Sequence, residues 1–342
     1  MASEMYLALG VLLIIAIAGD FFYTTVSFNG AGILSRTIST SIAAIFLWVN
    51  RKTDSRVLFK FSGMTHILAL VIAWIGLLWL GLFLLLMSDP SSVLHAPSQT
   101  AASAANKFYF SGYVLSTLGN GQYIPNGKSW QVIVAAFSFA GFIFITTAMT
   151  YLMNLTSAVI HKRELSLFIS NLGETPEEIL SNSYNGTNFK RLTRLAPDLQ
   201  QMINKHSQNH YAHPGVHYFY SIPRDESLSV NLTNLDEAIT LLETRVKNET
   251  LIDEDLRPLR NAIDKFLHTI QNHFIKTPDL EIECKPDFQH LKQSGISIDN
   301  ELFKENRTNK RRILLSGLLQ SSGWSWKDIY KQGQNKKQTN KN

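Results

Sequence analysis

Three stretches of this 342-residue chain, roughly 5–27, 64–87 and 130–160, are long and apolar enough to leave water altogether. A hydrocarbon core of ~30 Å needs ~20 apolar residues for one helical crossing. Inside a bilayer each backbone N–H and C=O has to be satisfied within its own segment, so the expected form is a helix. All three stretches precede residue 160, whereas most Lys, Arg, Asp and Glu follow it. The chain therefore reads as a membrane part followed by a soluble part. Its net charge of +5 comes without the aromatic and basic interleaving of a nucleic-acid surface. Cys284 is the single cysteine, which excludes an intrachain disulfide and a cysteine zinc cage.

The first stretch carries Glu4 and no Lys or Arg ahead of its apolar run, and apolar character resumes at Phe21-Phe22-Tyr23. It reads as a retained helix rather than a cleaved leader, despite Ala16-Ile17-Ala18. Arg36, Arg51, Lys52, Arg56 and Lys60 lie between the first two spans, with Asp54 as the one acid. The segment 88–106 beyond the second span has Asp89 and no Lys or Arg. The positive-inside rule then makes 28–61 cytoplasmic, the N-terminus external and the C-terminal half cytoplasmic. Within that loop 33–49 shows helical spacing of Ile33, Leu34, Ile38, Ile42, Ile45, Phe46 and Trp48. It is expected to lie along the cytoplasmic face, with a short buried helix as the alternative.

Between the second and third spans stands FYFSGYVLSTLGNGQYIP, residues 108–125. An aromatic helical run at 107–115 leads into Ser116-Thr117-Leu118-Gly119-Asn120-Gly121 and an exit at Pro125. This resembles the pore loop and filter of the bacterial potassium channel family, with an extra N-terminal helix. Asp20-Phe21-Phe22 and Gly30-Ala31-Gly32-Ile33-Leu34-Ser35 add to the likeness. The resemblance implies that backbone carbonyls of Thr117, Leu118, Gly119, Asn120 and Gly121 replace the hydration shell of a cation. One loop per chain then implies several chains around one pore, a homotetramer. Gly141, twenty residues after Gly121, falls where the family has its inner-helix hinge; a packing glycine is the alternative. Thr146, Thr147 and Thr150 would polarise the cavity wall or back-bond to their own helix. The chain departs from the family at Asn120, which stands for the filter aromatic, and at Gln122, which stands for an acid. Asn120 cannot fill the space of an aromatic, although its amide can hydrogen-bond to pore-helix groups such as Tyr113.

The soluble half carries helix signals and no alternating strand series or G-x-G-x-x-G. Thr175-Pro176-Glu177-Glu178 predicts an N-cap with a capping box. Asn234-Leu235-Asp236-Glu237 predicts a second helix start, 253–274 a third helix, and Pro286 with 298–319 two more. Gly127-Lys128-Ser129 lacks the upstream glycine of a phosphate loop. His206, His210, His213 and His217 offer metal ligation, pH sensing or a packed aromatic turn. Arg307 to Tyr330 reads as a lipid-touching or docking segment, with a disordered basic tail at 331–342. Asp20, costly in an apolar helix, is either functional or close enough to the interface to pair with Arg36.

The expectation is an all-α membrane protein with three transmembrane helices, a re-entrant pore helix and filter, and an α-helical cytoplasmic domain. Its divisions are 1–61, the pore domain 62–160, the soluble domain 161–330 and the tail. The expected function is passive potassium-preferring conduction in the cell (inner) membrane, without enzymatic chemistry, cofactor or bound metal. Its partners are its own copies, lipids and monovalent cations, not nucleic acid. A non-selective cation channel and a membrane-anchored sensor with a non-conducting pore are the rivals.

Overall fold

The computed structural model describes residues 2–53, 55–246, 253–271, 274, 286, 288–298 and 305–330. The disordered tail expected at 331–342 lies outside them. The chain divides into two compact units. The first holds the residues up to Ile42, Met64–Thr156 and Ala212–Gly215; the second holds Ala43–Gly63, Ser157–Tyr211 and the chain from Val216 on.

α1 (Ala2–Val26), α3 (Ser62–Met87) and α5 (Gly127–Ser170), which lie wholly or largely in the first unit, are long apolar helices. Each is long and apolar enough to cross a membrane. So, with the least margin, is α2 (Ile33–Thr53), expected from sequence to lie along the surface. α5 runs ten residues past the end expected at 160. Exposed Leu12, Ile15, Ile72, Val132, Phe139 and Met153 are the outward faces that suit lipid. Phe21 is fully buried where α1, α3 and α5 meet: it stacks on Phe144 at 4.0 Å and meets Trp74 edge-on at 5.1 Å. Aromatic pairs of this kind hold helices together where no hydrophobic effect operates between them.

Two three-residue strands, too short to show alternation in the sequence, flank the short helix α4 (Ala104–Leu115). β1 (Val93–His95) pairs antiparallel with β2 (Tyr123–Pro125), with Leu94 opposite Ile124.

The second unit is helical and centres on α8 (Leu228–Arg245). α6 (Pro176–Ser183), α9 (Asp253–Gln271) and α11 (Glu305–Ser321) pack on it, α10 (Phe288–Gln293) packs on α6, and α7 (Lys190–Ala212) shares the same apolar core. Leu232, Leu235, Ile239, Leu259, Ile263 and Leu315 share its apolar core. Thr175 caps α6 by accepting from Glu178 N at 3.2 Å, as expected, but Glu178 reaches back to Glu174 N rather than to Thr175. The helix expected to start at Asn234 starts at Leu228. Asp236 and Glu237 are not first-turn acids; they are mid-helix and 1% and 0% exposed. Asp236 accepts from Arg260 Nη1 at 2.8 Å and Arg311 Nε at 2.9 Å, and Glu237 from Arg312 Nε at 2.8 Å. Burial would raise the Asp236 carboxyl, and the adjacent Arg260 and Arg311 outweigh it and hold it low. The segment ending at Tyr330 thus docks on α8 through Arg311, Arg312 and the Tyr330 hydroxyl, 2.9 Å from Glu237.

Arg56 also belongs to this unit. Its guanidinium donates to Gly323 O at 2.7 Å, Ser221 O at 2.9 Å and Ser322 O at 3.1 Å, and lies 3.9 Å over Trp324. The basic loop between α2 and α3 is therefore part of the fold of the second unit.

Candidate functional site

α4 begins at Ser103, whose hydroxyl accepts from Asn106 N at 3.3 Å. Its buried face carries Phe110, Tyr113, Val114 and Leu115, and Trp79 of α3 donates its indole N–H to Phe108 O at 2.9 Å. The helix ends in a Schellman motif. Leu118 N–H bonds back to Tyr113 O at 3.0 Å, and Thr117 N–H to Val114 O at 3.1 Å. The residue after the cap must then be left-handed, and it is Thr117, at φ 58°. Glycine usually takes that place; a β-branched residue there costs roughly 1–2 kcal/mol.

Left-handed residues recur at Gly119, φ 57°, and Gly121, φ 70°, while Leu118 and Asn120 between them stay at negative φ. Alternating handedness turns successive peptide groups the same way, so carbonyls share one side and N–H groups the other. A strand would alternate them. All five residues from Thr117 to Gly121 are exposed on the single chain.

Polar side chains brace this loop from the α4 side. Asn120 Nδ2 donates to the Tyr109 hydroxyl at 2.5 Å, and Asn120 Oδ1 accepts from Gln122 N at 3.1 Å. The pore-helix partner is thus Tyr109 and not Tyr113. The phenol of Tyr113 instead donates to Tyr123 O at 2.5 Å, on the exit strand β2. At the other end of α4, buried Lys107 donates to Leu86 O at 3.0 Å and Asp89 O at 2.5 Å. Asp89 accepts from Trp130 Nε1 at 2.8 Å, tying the loop after α3 to the start of α5.

Gly141 is buried in the middle of α5. A Cβ there would run into the carbonyl oxygen of Leu115, the last residue of α4. Close approach of two backbones is the reason this position holds glycine. Thr146 bonds to Phe142 O at 2.9 Å and Thr150 to Thr146 O at 3.0 Å, the back-bonding alternative. Beside the loop an apolar cavity of about 480 Å³ is lined by Ile75, Trp79, Tyr113, Leu118, Gly141 and Phe144.

Asp20 is paired with helix ends rather than with Arg36. Its carboxylate accepts from Leu34 N at 2.9 Å and Ser35 N at 3.3 Å, at the start of α2, and from Ser35 Oγ at 2.5 Å. The Trp74 indole N–H reaches it at 3.0 Å. A carboxylate suits a helix N-terminus, where unpaired N–H groups and the dipole are positive. A Cβ on Gly32 would strike this carboxylate, which accounts for the glycine in the 30–35 segment.

His206, His210 and His217 come together, while His213 sits with Tyr151 at 5.7 Å in the first unit. Among the described residues no group of three His, Cys, Asp or Glu is placed to hold a metal ion. Phe266 and Phe274, from outside this segment, pack on the His206 and His210 rings; of the aromatics neighbouring in sequence, Tyr218 meets His217 while Tyr211 is exposed.

A short helix that ends in a loop of alternating handedness, set between two apolar helices, defines a pore-loop membrane protein. The chain belongs to the ion channel family, whose pattern matches residues 70–158. It is also 31% identical over 332 residues to the uncharacterized membrane protein YdjJ of Bacillus subtilis (strain 168), an alignment covering 95% of this chain and 96% of the relative. No solved structure matches it significantly.

Proposed function

We propose that the protein is a passive, potassium-preferring channel whose pore forms where four copies bring their loops to one axis. The observation that carries this reading is the alternation of left-handed backbone at Thr117, Gly119 and Gly121. Carbonyls of Thr117, Leu118, Gly119, Asn120 and Gly121, facing one side, suit a dehydrated cation, and the Thr117 hydroxyl adds a ligand at the inner end. The carbonyl end of α4 carries negative partial charge, so cations are favoured over anions. K⁺ is the permeant ion; no cofactor or covalent step enters the mechanism.

Selectivity for potassium over sodium depends on holding the loop's diameter. Here Asn120, anchored on Tyr109, would take over the bracing done elsewhere by an aromatic. Gly141 is the point at which α5 would yield on opening, by parting from Leu115. The basic residues from Arg36 to Lys60 favour a cytoplasmic position for their segment. Arg56 shares a fold with Ser221 and Gly323, which supports a cytoplasmic soluble half, an external N-terminus and gating from the soluble half.

The test is the reversal potential of the purified protein in a planar bilayer with potassium on one side and sodium on the other. A value near the potassium limit supports the reading. A value near zero with clear current assigns a non-selective cation pore. Silence that persists in a Gly141 variant designed to open refutes conduction and favours the membrane-anchored sensor.

A further inference from the structure

The backbone of the loop after α4 gains little from packing within its own chain. A Cβ on Gly119 or Gly121 would meet no atom of the described residues within 4 Å, and Leu118 is 67% exposed. Its course is therefore set where it is hydrogen-bonded. One such point is Asn120, held by Tyr109. The others are its two ends.

A single residue of α4 holds both ends. The Tyr113 carbonyl accepts from Leu118 N–H at 3.0 Å, at the entry, and the Tyr113 phenol donates to Tyr123 O at 2.5 Å, at the exit. The segment 118–123 is thus closed on one side chain, and a closed loop has fewer conformations open to it than one tethered at a single end. The clamp itself is fixed. Tyr113 is buried, with the Phe110 ring edge-on at 5.0 Å and the Tyr109 ring at 5.5 Å.

The exit has a second anchor in the segment before α4. Ala96 N–H donates to Gln122 O at 2.9 Å and Asn126 N–H to Ser92 O at 2.9 Å, and between these bonds β1 pairs with β2, His95 opposite Tyr123. β1 is held from its other side as well, by His95 N–H on Thr100 O and Ala102 N–H on Val93 O, both at 2.9 Å. Ser92 is fully buried and donates its hydroxyl to Leu86 O at 2.6 Å, in the last turn of α3. The carbonyls of Gln122 and Tyr123, the two residues after Gly121, therefore both end on donors fixed in other elements. A carbonyl bonded in this way resists rotation of its peptide group, and Gly121 adjoins that peptide.

We infer that Tyr113 is a positioning residue for ion selectivity, closing the loop at entry and exit, and that the β1–β2 pair is the splint against which the exit is held. The role in selectivity rests on reading 117–121 as the ion path; the closure of the loop does not. Selectivity is then controlled in part by residues 92–102, none of which belongs to the loop.

The experiment uses the purified full-length protein and two readouts, amide hydrogen exchange of the segment 118–123 and the bi-ionic reversal potential in potassium and sodium. Tyr113→Phe keeps the ring and removes the donor, so exchange should quicken by up to roughly tenfold and the permeability ratio should fall by about threefold or more. His95→Cys with Tyr123→Cys, in a Tyr113→Phe and Cys284→Ser background, allows the splint to be locked by a disulfide between facing strand positions. Oxidation should return the ratio to within about threefold of the unsubstituted protein, and reduction should abolish the recovery. A purely structural role for Tyr113 would not give selectivity that follows the redox state of β1–β2. Either readout unmoved by Tyr113→Phe overturns the proposal. So does a cysteine pair that does not oxidise, which contradicts the β1–β2 register, or a formed disulfide that leaves the ratio at its reduced value. Exchange that quickens in a protein carrying no current sinks the channel reading, and the selectivity role with it, while the closure of the loop by Tyr113 stands.

Discussion

Replacing Gly141 by alanine sets two opposed effects against each other. In a helix interior, alanine is favoured over glycine by about 1 kcal/mol, because glycine loses more backbone freedom on folding. If Gly141 served only as a flexible point, Gly141→Ala would leave the closed channel as stable or more so. The new methyl, however, would occupy the place of the Leu115 carbonyl oxygen. That neighbour is backbone at the end of α4 and cannot rotate away, so either α4 or α5 has to move. Overpacking costs roughly 1–3 kcal/mol where side chains can adjust, and the upper end applies here. The net expectation is a loss of about 2 kcal/mol. Gly76 on α3 is the control, because a Cβ there meets nothing within 4 Å. Gly76→Ala should gain up to about 1 kcal/mol, which separates the two variants by about 3 kcal/mol. Thermal unfolding of both proteins in detergent, followed by tryptophan fluorescence, reads this as a lower midpoint for Gly141→Ala. A Gly141→Ala midpoint at or above that of Gly76→Ala would refute the packing argument. The bilayer assay adds a second reading, since displacing the end of α4 should disturb conduction even in protein that folds.

Tyr109→Phe removes the hydroxyl that holds Asn120, a hydrogen bond of about 0.5–1.5 kcal/mol, so the potassium-to-sodium permeability ratio should fall by up to roughly tenfold. An unchanged bi-ionic reversal potential would show that Asn120 does not set the loop's diameter. Asp20→Ala takes the cap from α2 and leaves the buried Trp74 indole without its acceptor; about 2–5 kcal/mol of stability should be lost, read as a drop in thermal midpoint. Acid should weaken the second unit in two stages. His206 and His217 have depressed folded values, so the unfolded chain takes up their protons first and stability falls as pH drops below ~6.5, by up to about 1.4 kcal/mol per pH unit for each. The Asp236 carboxyl is also depressed, so its contribution is complete above ~4 and is lost only as pH falls through its lower folded value. An unfolding midpoint flat between pH 7.5 and 5 would contradict the first stage.

The apolar helices and the pore loop could be read in the sequence because their causes are local: hydropathy for the spans, turn chemistry and glycine spacing for the loop. Thr175 as the N-cap of α6 was legible for the same reason. What escaped was set by partners far along the chain. Asp236 and Glu237 look like first-turn acids in a window of ten residues, but their arginines lie 24 and 75 positions on. The spacing of Gly141 from Gly121 singled the residue out as a hinge, whereas the carbonyl that demands a glycine there belongs to another helix. Asp20 was flagged by its cost, and the helix start that repays it is 14 residues away across a turn. The β1–β2 pair is three residues long on each side, below the length at which a period of two can be recognised.

A residue that breaks a local rule in an otherwise consistent fold marks a place where function has overridden stability. Thr117 is such a residue. The Schellman end of α4 asks for glycine at that position, and the chain supplies glycine at the next two left-handed positions but not at the first. A hydroxyl and a branched side chain are therefore kept where they strain the backbone, at a position exposed on the single chain. Thr117→Gly should raise the thermal midpoint, by an amount matching about 1 kcal/mol, while weakening cation block or conduction. A variant that loses both stability and conduction would mean that Thr117 is there to hold the loop, and the argument that its hydroxyl serves the ion would fail.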